Sequence, residues 1–204
     1  KGDAELAAAH IEFAGASQAL DDRNVDVGAP GVVHSLAVFK RKGSPYAALA
    51  ELQEALVDFF LGKRDRLIAG YSSMLERYQG RYPLLRARAH WMRALCHGFV
   101  DSDRWQALLD NQEAFRLLTN ARQRDSARQV AVQLSASLEG LGRQSEADTV
   151  LAGVVSMHSL EDPPLKTLAF VQTLAHHLLD HGLKSAALEI RQRAAISNNR
   201  GGAM

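Results

Sequence analysis

Apolar side chains recur along this chain at three- and four-residue steps, separated by short polar or glycine-containing breaks, which is the pattern of successive amphipathic helices. The clearest instance is Lys166 to Ser197. There Leu168, Val171, Leu174, Ala175, Leu178 and Leu179 share one helical face. Gly182 then supplies a backbone able to take positive φ where that helix stops. Leu183, Ala187, Leu188, Ile190 and Ala194 give the apolar positions of a second helix. The spacing predicts two helices packed around a turn at His181–Gly182.

The same punctuation precedes it at a fixed period. Gly62, Ser102, Gly142 and Gly182 stand 40 residues apart, each between two helical patterns. Leu67, Ala107, Ala147 and Ala187 repeat in the same register, as do Met74, Ala114, Val154 and Ala194. Breaks between units fall at Gly80-Arg81-Tyr82-Pro83, Asn120 to Asp125, and Glu161 to Pro164. Repetition at this length with helix–turn–helix content predicts a solenoid in which neighbours bury one another's faces. Upstream, Asp3 to Leu20 has a loose helical pattern. Asp21 to Gly31, with DDRN and then GAPG, is expected to be a loop. Val32 to Lys42 is expected to be a short helix, and Ser44-Pro45 a helix start.

The hairpin at the end of the chain resembles a tetratricopeptide repeat, whose small–large signature is met by Leu174-Ala175, Leu178, Gly182, Ala187-Leu188 and Ala194. Leu134-Ser135, Leu138, Gly142 and Ala147 follow it as well. The second unit needs a one-residue slip at Ala94 to Gly98, the first carries Asp58 at an expected apolar position, and the period exceeds the family's usual length. The resemblance covers about residues 45–197. It implies an all-α fold, a right-handed superhelix of stacked antiparallel helix pairs. A divergent helix pair would occupy residues 1–44, four hairpin repeats residues 45–84, 85–124, 125–164 and 165–197, and a frayed end residues 198–204.

Composition narrows function mainly by exclusion. Hydrophobic residues make up 47% and charged residues 23%, enough for a core and against wholesale disorder. The net charge of +1 gives no global field toward nucleic acid or membrane. No apolar run approaches the roughly 20 residues that span a bilayer. A single Cys96 excludes an internal disulfide and suits a reducing compartment, hence a cytoplasmic expectation. The chain opens KGDAELAAAH, with no signal-like layout and no initiator Met, and is read as a fragment or processed product.

Chemistry-bearing clusters are weak. His177 and His181 have a workable two-ligand spacing beside His176, but a third ligand is missing, so no metal is expected. Cys96 and His97 are adjacent and point about 100° apart on a helix, so they make a poor nucleophile–base pair. Glu51, Glu54 and Asp58 form an acidic stripe expected to be a solvated face. No phosphate-binding or nucleophile-elbow glycine pattern occurs. Neither enzyme activity nor a cofactor is therefore expected. Residues 40–93 hold eleven Lys or Arg against five acids. Arg86, Arg88 and Arg93 near Tyr82 and Trp91 could contact nucleic acid, but acids interleave and Trp91 has core-like spacing. A basic groove for an acidic peptide uses the same residues.

What the resemblance implies is non-catalytic recognition of a protein or peptide through the concave face formed by the first helices. Helical phase places Gln129, Gln133, Gln172 and His176 on it, with Met92 and Arg93 from the second repeat. The setting it implies is a scaffold or regulatory region of a bacterial signalling protein. The alternative is a ligand-sensing domain before an output such as a diguanylate cyclase or a transcription regulator. Homo-oligomers remain open.

Overall fold

The computed structural model describes residues 2–98, 103–156, 175–176, 178–180, 182–185 and 187–192. Among these the chain is all-α, without strands. The helices are α1 (Gly2–Asp21), α2 (Val25–Arg41), α3 (Tyr46–Phe60), α4 (Arg64–Arg77), α5 (Pro83–Cys96), α6 (Arg104–Asn120), α7 (Arg124–Gly140) and α8 (Gln144–Ser156). Helical residues again lie on both sides of Gly182. The chain forms two compact units, residues 1–96 and 97–204.

A single device closes most of these helices. Arg23, Gly43, Gly62, Arg122, Gly142 and Gly182 all have φ between +57° and +75°. At each, the amide of the next residue donates to a carbonyl five residues back. These bonds are Asn24 to Ala19, Ser44 to Phe39, Lys63 to Asp58, Gln123 to Leu118, Arg143 to Leu138 and Leu183 to Leu178. This left-handed stop satisfies carbonyls that a helix end leaves orphaned. The glycine period expected at Gly62, Gly142 and Gly182 is thus real, while Ser102 lies outside the described residues. The stops also fall at the half-period, so the structural beat is one helix per roughly twenty residues.

In the first unit each helix packs on its sequence neighbours. One core cluster joins Phe13, Leu20, Val32, Leu36, Phe39 and Val57 across α1, α2 and α3. Another joins Leu52, Leu67, Tyr71, Met74, Ala89 and Cys96 across α3, α4 and α5. The expected loop at Asp21 to Gly31 is overturned: α2 begins at Val25, with GAPG inside it. The two glycines are there for contact. A Cβ on Gly28 would stand 2.7 Å from Leu20 Cγ and 2.9 Å from the Ala16 carbonyl oxygen, and one on Gly31 2.8 Å from Ala16 Cβ. Pro30, on the sixth residue of the helix, costs α2 one backbone donor.

In the second unit Leu108 of α6, Leu134 and Leu138 of α7 and Ala147 of α8 form one cluster. Ala131, Val132, Leu151 and Val154 form another with Ala175, Leu178, Ala187 and Ile190. Ala147 and Ala187 are therefore core residues, as their period predicts. Two positions expected on the apolar faces are instead open: Leu179 is 39% and Leu188 57% exposed.

Candidate functional site

A large concavity of the first unit lies where α3 and α5 begin. It measures about 540 Å³ and is lined by Pro45, Tyr46, Leu49 and Leu52 from one side, and by Tyr82, Leu84, Leu85 and Arg88 from the other. Tyr46, Leu49 and Leu84 stand 46%, 38% and 45% exposed, so a guest could bury much of their surface. The volume falls in the range of about 300–1,000 Å³ usual for ligand sites, and an apolar wall with few polar groups is their usual make-up.

Local sequence builds each wall. Ser44 Oγ accepts the Tyr46 amide at 3.3 Å, and Pro45, with φ of −61°, leads directly into α3. Tyr46 is held from behind by aromatic packing, with its ring centroid 4.3 Å from His10 and 5.9 Å from Phe39. On the other side Pro83 opens α5, where its missing amide hydrogen is harmless. Tyr82 just before it has φ of +47°, a conformation that side chains adopt at a penalty. The segment between α4 and α5 thus holds two residues at positive φ, Gly80 at +75° and Tyr82 at +47°, and the second is a bulky aromatic at the cavity wall. Strain retained at such a place points to use.

Beside the groove, sharing Pro45, Ala48 and Tyr82 with it, lies a second cavity of about 430 Å³ of different chemistry. Lys40, Ser44, Glu51, Arg77, Tyr78 and Arg81 line it. Glu51 is its inner anchor. The carboxylate takes an ion pair from Lys40 at 3.1 Å, a hydrogen bond from the Arg77 guanidinium and another from the Tyr78 hydroxyl at 3.1 Å. Its side chain is only 10% exposed, against 50% for Lys40 and 52% for Arg77. The solvated acidic face expected at this position is thus corrected, because the packing of α2 and α4 on α3 brings cations over Glu51. Burial, and next the neighbouring Glu51 charge, push the Tyr78 phenol above its ordinary range, keeping it a neutral donor. Arg81 donates to the Tyr82 hydroxyl at 3.1 Å and its guanidinium carbon lies 5.1 Å from that ring's centre.

The residues expected to line a groove are distributed over both units. Met92 is half-buried against the α3–α5 core, and Arg93 Nη1 donates to Ser72 Oγ of α4 at 2.8 Å. Gln129 is exposed on α7, with half-buried Gln133 one turn on. The Gln133 carbonyl accepts from Ser137 Oγ at 3.0 Å, and Asn111 of α6 donates to that hydroxyl at 3.1 Å. His176 is exposed, its Nε2 3.7 Å from an Asp180 carboxylate oxygen. Gln172, His177 and His181 lie outside the described residues. Cys96 is buried, with Sγ 3.2 Å from the Met92 carbonyl oxygen. Among the described residues no group of three or more His, Cys, Asp or Glu side chains could hold a metal, and no helix is long and apolar enough to cross a membrane.

The fold defined by these helices is an all-α array of tetratricopeptide-like repeats. No protein-family model and no curated protein sequence matches the chain. Solved structures do. Nearly identical TPR-like repeats of a kinesin-light-chain kind from Podosopora anserina superpose with a TM-score of 0.67 at 12% identity, over 96% of this chain and 97% of that one. The apo form of RapI gives 0.69 at 10% identity, over 95% of this chain and 72% of that one. MamA gives 0.54 at 13% identity, over 93% and 97%. At such identities the likeness is one of fold.

Proposed function

We propose that the chain is a non-catalytic docking module that binds an extended segment of a partner protein in the groove between α3 and α5. The observation that carries this is the groove itself, a preformed apolar cleft of about 540 Å³ with Tyr46, Leu49 and Leu84 left partly open. Helices fix both walls before a partner arrives, so little ordering has to accompany binding. Full burial of one leucine-sized side chain contributes on the order of 1.5–3 kcal/mol, so two or three anchors suffice for a reversible contact. Helical phase in the sequence offers Gln129, Gln133, Gln172 and His176 as a second candidate surface, whose amides and imidazole can both donate and accept. Met92 and Arg93 belong to the same proposal, as does the role of scaffold or regulatory region in a cytoplasmic bacterial signalling protein.

The test is panning of the purified protein against a displayed random-peptide library. Peptides rich in large apolar residues should be enriched, and Leu49→Glu with Leu84→Glu should weaken them at least tenfold without lowering the melting temperature. Enriched peptides that bind this double variant as well as wild type would overturn the proposal. Changing Gln133 and Gln172 to Ala tests the second surface in the same assay, with Arg93→Ala scored separately.

A further inference from the structure

The basic cavity beside the groove carries more positive charge than its own architecture uses. Lys40, Arg77 and Arg81 face one carboxylate, Glu51, so the lining sums to +2. Both Glu51 oxygens are engaged from within, one by Lys40 and Arg77 and the other by Tyr78. The two cations nevertheless keep about half of their side-chain surface open. An ammonium has three donors and a guanidinium five, so each retains hydrogens for a further acceptor. Arg81 is exposed and donates to a phenol, not to a carboxylate. Helix ends do not account for the excess, because α2 and α4 finish here while α3 and α5 begin, and their dipoles oppose. The neighbouring cavity toward Asp58 supplies the contrast. It shares Lys40, Glu51 and Arg77 with the basic cavity and adds Arg66 against Glu54 and Asp58, so the two cavities together carry +1 and the surplus lies on the Arg81 side.

We propose that this cavity binds the phosphate of a phosphorylated side chain on the segment docked in the α3–α5 groove, so that docking is controlled by phosphorylation of the partner. This rests on the groove reading above. Three cations with donors to spare favour phosphate over carboxylate, because a phosphomonoester carries about −1.5 to −2 at neutral pH and three acceptor oxygens, and a carboxylate −1 and two. Arginine and lysine together with hydroxyl donors such as Ser44 and Tyr82 suit its oxygens. Contiguity with the groove through Pro45, Ala48 and Tyr82 means one extended segment can reach both.

The experiment uses the full chain and an array of peptides with random flanks around a central phosphoserine, each with serine and glutamate twins. Phosphoserine peptides with large apolar neighbours should be retained at least about tenfold better than either twin, the gain expected of charge-assisted hydrogen bonds. Arg81→Gln should bring phosphoserine peptides down to the level of their own serine twins with the melting curve unchanged, because Arg81 bonds no carboxylate. Leu49→Glu should lower all three series together. Equal retention of the three forms, or a preference indifferent to Arg81→Gln, overturns this proposal and leaves the groove standing. Glutamate twins equal to phosphoserine also overturn it, in favour of a reader of plain acidic segments. No retention in any form overturns both.

Discussion

At the residue scale, the least substitutable positions are small ones. Gly28 has no room for a Cβ against Leu20 and the Ala16 backbone, whereas one on Gly15 would meet nothing within 4 Å. Gly28→Ala should therefore cost about 1–3 kcal/mol by overpacking, and Gly15→Ala should gain up to about 1 kcal/mol of helix propensity, both read from urea unfolding. Tyr71 makes the opposite case. It is fully buried and its hydroxyl has no partner, so burial, followed by the nearby Cys96, raises its pKa. A raised folded-state pKa favours the native state only while the phenol is protonated in both states. That advantage holds below the unfolded value of about 10 and is lost above it. Stability should fall from about pH 10 upward, and Tyr71→Phe should flatten that alkaline limb. At pH 7 the same variant should be neutral or stabilised by about 1 kcal/mol, because an unpaired buried hydroxyl is removed. A marked loss at pH 7 would mean that the hydroxyl is bonded.

At the element scale, the left-handed stop repeated after α1, α2, α3, α6 and α7 links sequence to architecture. Glycine marks it at Gly43, Gly62, Gly142 and Gly182, and the period of the latter three is readable from sequence for that reason. Arginine marks it at Arg23 and Arg122, so there the half-period has no glycine signature in the sequence. The GAPG of α2 misleads in the reverse direction. Glycine and proline usually punctuate, but here Gly28 and Gly31 serve close helix contact and sit inside the helix. The left-handed conformation costs a non-glycine residue about 1–2 kcal/mol. Arg122→Gly should accordingly raise stability by about 1 kcal/mol after its extra unfolded-state entropy is subtracted. Gly142→Ala should lower it by a similar amount. Thermal unfolding by circular dichroism measures both, and a change of the same sign in the two would contradict the shared-stop account.

At the scale of the whole molecule, what sequence shows and hides divides by range. Amphipathic faces and their period are local, so the helical-repeat architecture can be read directly, along with core positions such as Ala147 and Ala187. The groove and the basic cavity are non-local. Lys40, Glu51, Arg77 and Arg81 come from α2, α3, α4 and the turn before α5, and only packing brings them together. The surplus of basic residues over residues 40–93 is visible in sequence, but not which ones converge. Because each helix of the first unit packs on its sequence neighbours, stability in this array is close to a sum of adjacent interfaces. The segment of residues 1–96 contains both of its own core clusters and every residue of the groove and cavity. Expressed alone, it should be helical, unfold cooperatively in urea, and retain phosphoserine peptides within about threefold of the full chain. A fragment that folds but has lost the peptides would place essential contacts in residues 97–204, and the Gln129–Gln133 face of α7 would then be the first surface to mutate.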